Sequence, residues 1–292
     1  MNLGYIGLGR MGGALARRLS LSHRLRVYDL RPEAVEACAK EGAIPVQDPV
    51  ALAQASDIVL TCLPTSADVR QCIFGPNGIL EGLEPGKLIV DQTTGDPNET
   101  RRMVAVLAER GIELIDAPVS GGPSGAEAGT IAIMVGGPDA LYEKVRPYLQ
   151  SVSPNVLHCG DVGAGHTMKL VNNVISACCR VATFEAIVMG AKNGLSLEKM
   201  VEVLAKGSAQ NSAITNHLPR MMQGRAPTFS LELLHKDVRL ACQLGIDSGA
   251  PMYVPNLVRE HLQAAIQVLG GDAGSNQVIE IMERNAGVKV LK

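Results

Sequence analysis

Tyr5-Ile6-Gly7-Leu8-Gly9-Arg10-Met11-Gly12 decides the fold. A short strand-like run, Leu3–Ile6, feeds directly into Gly-x-Gly-x-x-Gly, and an Ala/Leu-rich helical stretch follows. In that order the three glycines do different things. Gly7 makes the tight turn, Gly9 lets backbone approach a pyrophosphate, and Gly12 lets helix pack closely on strand. The free N–H groups and the dipole at the helix start attract phosphate. Three glycines in six residues could equally be a plain tight turn. What settles the reading is Asp29, which ends the second strand-like run, Leu25–Tyr28, 22 residues after Gly7. A carboxylate there accepts hydrogen bonds from an adenosine ribose 2′-OH. Loop and acid together read as a dinucleotide site, with Gly7, Leu8, Gly9, Arg10, Met11, Gly12 and Asp29 as its residues.

Asp29 also bears on which dinucleotide binds. Its charge repels a 2′-phosphate, so NAD is expected over NADP, although Arg31 can partly offset the repulsion. A strand-end Asp that merely caps the turn before Pro32 would leave that choice open.

Outward from the loop, short apolar runs alternate with helical stretches: Asp57–Leu60, Leu88–Val90, Glu113–Asp116, Ile131–Val135 and Val156–His158. Strands separated by about ten or more helical residues cannot pair as hairpins, so they read as βαβ units. The expected fold class is α/β, with an N-terminal doubly wound, mostly parallel sheet over residues 1–162. From His166 to Asn193 the pattern changes. Met168, Val171, Ile175, Cys178, Ala182 and Met189 recur at spacings of three, four and seven, with Asn193-Gly194 as the stop. Leu170, Val174, Val181 and Ile187 make other faces apolar too, as in a helix buried between domains or subunits. Helical segments follow at Leu197–Leu204, Leu231–Leu244, Val254–Gln267 and Gln277–Arg284, so residues 163–292 are expected to be all-α.

Composition narrows the function. The chain has 292 residues, two domains at about 100–200 residues each. It is 46% hydrophobic and 19% charged, with a net charge of −2, which excludes a disordered chain. No polybasic tract is visible and aromatics are 3%, so neither nucleic acid nor an anionic membrane is an expected partner. No apolar run is read as reaching the ~18–20 residues of a membrane helix. Seven scattered cysteines without a C-x-x-C pair read as small buried hydrophobes in a reducing compartment. With a strand starting at Leu3 and no visible targeting segment, the expected location is the cytosol. Six histidines at no metal-ligand spacing argue for no metal site, and none suggests a Ser-His-Asp triad.

Two further segments carry chemistry. Asp116-Ala-Pro-Val-Ser120-Gly121-Gly122-Pro123 leaves the fifth run, and Pro123 suits a first helical position. Two glycines and a hydroxyl suit a small anion such as a carboxylate, unless the loop is glycine-rich for steric reasons alone. The neighbouring Gly122–Thr130 stretch lacks the lysine of a nucleoside-triphosphate loop. Then Gly165-His-Thr-Met-Lys169-Leu-Val-Asn172-Asn173 puts Lys169 and Asn173 on one helical face. An ammonium in so apolar a helix needs a counter-charge or a role in chemistry, and burial can tune it toward acid/base work. Periodicity alone weighs a solvated lysine equally. By itself, Lys236-Asp237 reads as a surface or capping pair.

Taken together, GLGRMG (Gly7–Gly12), DAPVSGG (Asp116–Gly122), GHTMKLVNN (Gly165–Asn173) and HKD (His235–Asp237) resemble the β-hydroxyacid dehydrogenases, the family of 3-hydroxyisobutyrate dehydrogenase and tartronate semialdehyde reductase. The likeness covers nearly the whole chain, and its second and third motifs are the specific ones. It implies a Rossmann domain, a helical C-terminal domain and an active site in the cleft between them. It implies that Ser120, Gly121 and Gly122 hold a substrate carboxylate, that Lys169 is the acid/base and that Asn173 orients substrate. Met11, Leu63, Pro64, Thr94 and Lys236 would complete the cofactor side. NADP-preferring members carry Asn-Arg where this chain has Asp29-Leu30, in line with NAD. A homodimer or homotetramer is expected, and so is reversible hydride transfer between NAD and a small 3-hydroxy acid. The alternatives are an NADPH-preferring semialdehyde reductase of the same family and a non-catalytic dinucleotide-binding module. Phosphogluconate decarboxylation would need a phosphate grip that is not evident, and imine reductases typically replace the lysine. Which acid is taken is not readable from one sequence.

Overall fold

The computed structural model describes residues 1–225 and 229–291, and these fall into two compact units, Met1–Lys169 and Leu170–Lys292. In the first unit, strands β1 (Leu3–Ile6), β2 (Leu25–Tyr28), β3 (Ile44–Pro45), β4 (Ile58–Thr61), β5 (Leu88–Asp91) and β6 (Glu113–Asp116) are all parallel, in spatial order 3-2-1-4-5-6. The order reverses between β1 and β4, which opens a crevice at their carboxyl ends. Strands β1, β4, β5 and β6 are buried almost throughout because helices cover both faces. Alternation divides their side chains: Leu3, Tyr5, Ile58, Leu60, Leu88 and Val90 enter one core cluster, while Ile6, Val59, Ile89 and Leu114 enter the other.

The far edge departs from the expected parallel pattern. β7 (Val119–Ser120) follows β6 after a two-residue break, and β8 (Ala132–Gly136) runs antiparallel to both, pairing Asp116 with Gly136 and Ser120 with Ala132. β9 (Val156–Gly160) then lies parallel to β8. β3 and β7 were not expected, because at two residues each they leave no alternation to read. Helices α1 (Arg10–Ser20), α2 (Pro32–Ala39), α3 (Pro49–Gln54), α4 (Ser66–Phe74), α5 (Pro97–Ala108), α6 (Gly122–Ala128) and α7 (Asp139–Val152) make the crossovers. Several start on side-chain caps: Asp48, Thr65 and Asp96 each accept from a first-turn N–H.

The second unit is built on α8 (Ala164–Lys192), whose first six residues fall in the first unit, with α9 (Leu197–Leu204), α10 (Leu218–Met222), α11 (Leu231–Ser248), α12 (Tyr253–Leu269) and α13 (Val278–Ala286). A five-residue π-helical turn, Ala213–His217, leads into α10. Leu170, Ala177, Phe184 and Ile187 of α8 enter the core with Leu234 and Val238 of α11 and Leu262 of α12. The row read first from the sequence is mostly the outer one: Met168, Val171, Ile175, Ala182 and Met189 are exposed, and only Cys178 packs against the helical core. Both faces of α8 are apolar, so spacing could not choose between them. α8 also overturns one sequence reading. By length and composition alone it could cross a membrane, with a mean hydropathy of 1.6 over an 18-residue window. Half of that window is buried inside the protein.

Candidate active site

The glycine loop sits at the carboxyl end of β1, beside the strand-order reversal. Gly7 has φ +93°, and a Cβ on it would lie 2.4 Å from the Cys62 carbonyl oxygen. Gly12 is tighter still, since its Cβ would lie 1.9 Å from the Gly7 carbonyl oxygen. Gly9 differs: a Cβ there would meet nothing nearer than Arg31 Nη2 at 3.8 Å. Gly7 and Gly12 are therefore packing glycines, whereas Gly9 keeps open space over the backbone. Gly9 is also the N-cap of α1, no side chain caps that helix, and its first turn carries no acidic residue. An uncapped, acid-free helix start behind an open glycine fits a pyrophosphate.

Asp29 follows β2 on the same edge. Its Oδ2 accepts from the Leu8 N–H at 2.6 Å, and its Oδ1 accepts from the Arg31 N–H at 2.9 Å and Arg31 Nε at 3.0 Å. Burial pushes this carboxyl up, but the Arg31 side chain, with the Arg31 and Leu8 N–H groups, outweighs it and holds the carboxyl below its ordinary value. Asp29 is thus an ionised brace for the glycine loop, with Arg31 folded against it. Leu63 and Pro64 follow β4, and Thr94 follows β5, again at carboxyl ends. Thr93 ties those two loops together, its Oγ1 accepting from the Leu63 N–H at 3.0 Å.

Past β6 the chain turns at Gly121 (φ +136°) and Gly122 (φ +70°). A Cβ on Gly121 would lie 2.9 Å from Ile131 Cγ2, so steric need accounts for this glycine, while Gly122 has open space around it. The two readings of the loop therefore each describe one of its glycines. Asp116, which opens the same motif, has a part that the sequence did not reveal. It is fully buried, and its Oδ1 and Oδ2 accept from the Gly163 N–H at 2.6 Å and the His166 N–H at 2.7 Å. One carboxylate thereby joins the Ser120 turn to the start of α8. His166 adds a second tie, as its Nε2 lies 2.9 Å from the Thr93 carbonyl oxygen and its Nδ1 lies 3.0 Å from Thr100 Oγ1. Lys169 comes one turn later and is only 8% exposed, which removes the solvated-lysine reading.

In the second unit, Asn173 Nδ2 donates to Asp237 Oδ2 at 2.6 Å, and Lys236 Nζ lies 3.3 Å from Asp237 Oδ1. Asp237 is 1% exposed and Lys236 is largely buried. The reading of Lys236-Asp237 as a surface pair is therefore wrong. The apolar row Leu234, Val238, Ala241 and Cys242 faces the core, and the flanking charged pair is carried in beside it. Among the described residues no cluster of His, Cys, Asp or Glu is arranged to hold a metal ion.

Comparison with known proteins places this geometry. Residues 2–160 match the NAD binding domain of 6-phosphogluconate dehydrogenase, and residues 163–282 match the NAD-binding region of NADP-dependent 3-hydroxyisobutyrate dehydrogenase. The chain is 37% identical to 2-(hydroxymethyl)glutarate dehydrogenase of Eubacterium barkeri, over 99% of this chain and 97% of that protein. It is 33% identical to 3-hydroxyisobutyrate dehydrogenase of Pseudomonas aeruginosa, over 94% of this chain and 97% of that one. The structure of Mycobacterium tuberculosis 3-hydroxyisobutyrate dehydrogenase with L-serine superposes with a TM-score of 0.88 at 29% identity, covering 96% of this chain and 98% of that chain.

Proposed function

The chain belongs to the β-hydroxyacid dehydrogenase family of nicotinamide-dependent oxidoreductases, and we propose that it interconverts a small 3-hydroxy acid and its semialdehyde with NAD. The observation that carries this reading is Lys169, an amine nearly closed to solvent one turn beyond a helix start that Asp116 grips. When bound, the dinucleotide supplies the carbon that takes up or gives back hydride. Gly9 and the first N–H groups of α1 hold its pyrophosphate, and Asp29 holds the adenosine ribose. Leu63, Pro64, Thr94, Met11 and Lys236 complete the cofactor contacts. The Ser120 hydroxyl and the Gly121 and Gly122 N–H groups hold the substrate carboxylate. In oxidation Lys169 Nζ, neutral, accepts the hydroxyl proton. In reduction the ammonium polarises the carbonyl and returns that proton. Asn173 orients the substrate and is itself fixed by Asp237.

A preference for NAD is supported by the ionised Asp29, which would meet a 2′-phosphate with like charge. One observation favours NADPH as the second reading: Arg31, paired with Asp29 and 54% exposed, is a cation close to where that phosphate would lie. A non-catalytic module has no use for a buried lysine. The exposed apolar row of α8 supports a homodimer or homotetramer, and the free thiols support a cytosolic setting.

The test is Lys169→Ala, assayed with a panel of short 3-hydroxy acids and each cofactor in turn. Turnover should fall at least about 100-fold, while NADH titration gives an unchanged Kd. Near-normal turnover would end the assignment.

A further inference from the structure

The helical unit holds a cavity of about 290 Å³, lined by Arg180, Arg220, Arg225 and His217 together with apolar side chains that include Met221 and Phe229. One carboxylate, Glu280, also lines it, but it is exposed at the rim, accepts from Gln277 Nε2 at 3.2 Å and forms no ion pair with these arginines. None of these residues has a part in the chemistry above. Arg180 projects from α8 and is 5% exposed. Its Nη2 donates to His217 Nε2 at 2.9 Å, while its Nε and Nη1 have no hydrogen-bond partner. Burial lowers the guanidinium to about 10, so it stays charged at neutral pH. Burial, then Arg180 and Arg220, pushes His217 down to about 4. The imidazole therefore offers Arg180 a lone pair and no negative charge.

No ion pair among the described residues involves Arg180, Arg220 or Arg225. A buried cation without counter-charge is costly, and proteins retain one where something compensates it. Two unpaired donors on a closed-in guanidinium, with two more arginines around the same space, ask for an anion. The apolar share of the lining selects among anions, because it suits a hydrocarbon body better than a strongly hydrated inorganic ion. Size points to a small ligand, as the volume lies just below the ~300–1,000 Å³ range of pockets for drug-sized ligands. Asn276, also in the lining, has a buried Oδ1 without a partner, to which a ligand hydroxyl can donate.

We propose that this cavity is a binding site for a short-chain organic carboxylate, with Arg180 as the buried anchor and Arg225 as an exposed second cation. The site is separate from the one at Lys169. Along α8, Arg180 lies about 16 Å of helix rise beyond Lys169, further than an acid of a few carbons can span. The proposal does not depend on the dehydrogenase reading.

The experiment uses the full chain, with butyrate and 2-hydroxybutyrate as probes, butyramide as the uncharged isostere and inorganic phosphate as the alternative anion. Either acid should bind saturably by calorimetry, with Kd on the order of 1 mM, and raise Tm by about 3 °C at tenfold excess over Kd. Butyramide should do neither. Arg180→Met should fold, since it replaces a costly charge with apolar volume, and should weaken the acids at least about tenfold. Arg225→Ala, at an exposed position, should weaken them about threefold and carries the test if Arg180→Met fails to fold. Undiminished binding in the variants that fold would overturn the proposal, as would binding of phosphate alone or no saturable binding at all.

Discussion

Asp116→Asn tests the brace at the start of α8. The native carboxylate accepts two short backbone bonds in full burial, and Gly136 and Gly165 press on it so closely that a Cβ on either would come within 2.8 Å of its oxygens. Neither a rotated amide nor a water has space to compensate. The amide keeps one acceptor but turns N–H groups toward a second backbone donor. Loss of one charge-assisted bond costs about 1.5–3 kcal/mol, and the donor left unpaired adds to this. Part of the sum is the helix-cap energy counted another way, so the expected destabilisation is about 2–3 kcal/mol. Asp116→Ala orphans both donors and opens a small void, for about 3–5 kcal/mol. Urea unfolding reads these values, and hydrogen exchange at the Gly163 and His166 amides localises them. Lys169 follows His166 by three residues, so a frayed start should also lower kcat about tenfold, with cofactor Kd unchanged. An Asn variant within about 0.5 kcal/mol of the parent, or with native exchange at both amides, would refute the reasoning.

Three shorter expectations follow from the same geometry. Gly12→Ala forces a Cβ into the Gly7 carbonyl oxygen, so NADH affinity should drop at least about tenfold, and an unchanged fluorescence titration would contradict this. Asp29→Ala removes both the ribose acceptor and the brace on the Leu8 N–H. It should raise the KM for NAD and narrow the gap to NADP in steady-state comparison, a prediction that fails if NADP is already preferred by the parent. His217, pushed by burial from 6.5 down to about 4, is neutral in the fold but protonated in the unfolded chain between those values. The unfolded state then binds more protons, so stability is intact above pH 6.5 and falls toward pH 4. The loss is about 2 kcal/mol after allowing for partial exposure. His217→Gln should flatten that slope in urea titrations, and identical slopes in both proteins would dismiss it.

Local spacing made the first half of the fold legible. Gly7 and Gly12 fall where backbone sterics admit little else, and short apolar runs located the central strands to within a residue or two: Asp57–Leu60 was expected and Ile58–Thr61 found. What stayed hidden depends on neighbours remote in sequence. The antiparallel β8 looks like any other apolar run, because direction is set by what it pairs with. Which stripe of α8 faces the core is likewise set by α11 and α12. Lys236-Asp237 looked like a surface pair, since nothing within α11 announces that Asn173 of α8 will donate to Asp237.

The carboxylates that end the parallel strands show most directly where reading a site from sequence stops. Asp29 follows β2, Asp91 ends β5 and Asp116 ends β6, each at the sheet edge where ligands of this fold bind. All three accept a backbone N–H: Asp29 from Leu8, Asp91 from Thr93 at 3.0 Å, and Asp116 from Gly163 and His166. A strand end leaves the following loop with unpaired donors, so an acid at that position is first an internal brace. It serves a ligand only where the cover over it is thin. Asp91 and Asp116 are wholly buried, with Thr61 Oγ1 on the former and the first turn of α8 over the latter. Over Asp29 lies Arg31, a surface side chain that can swing aside at little cost. The same residue type in the same local pattern thus divides into scaffold and site according to what packs on top, and that packing is contributed by segments as much as 50 residues away.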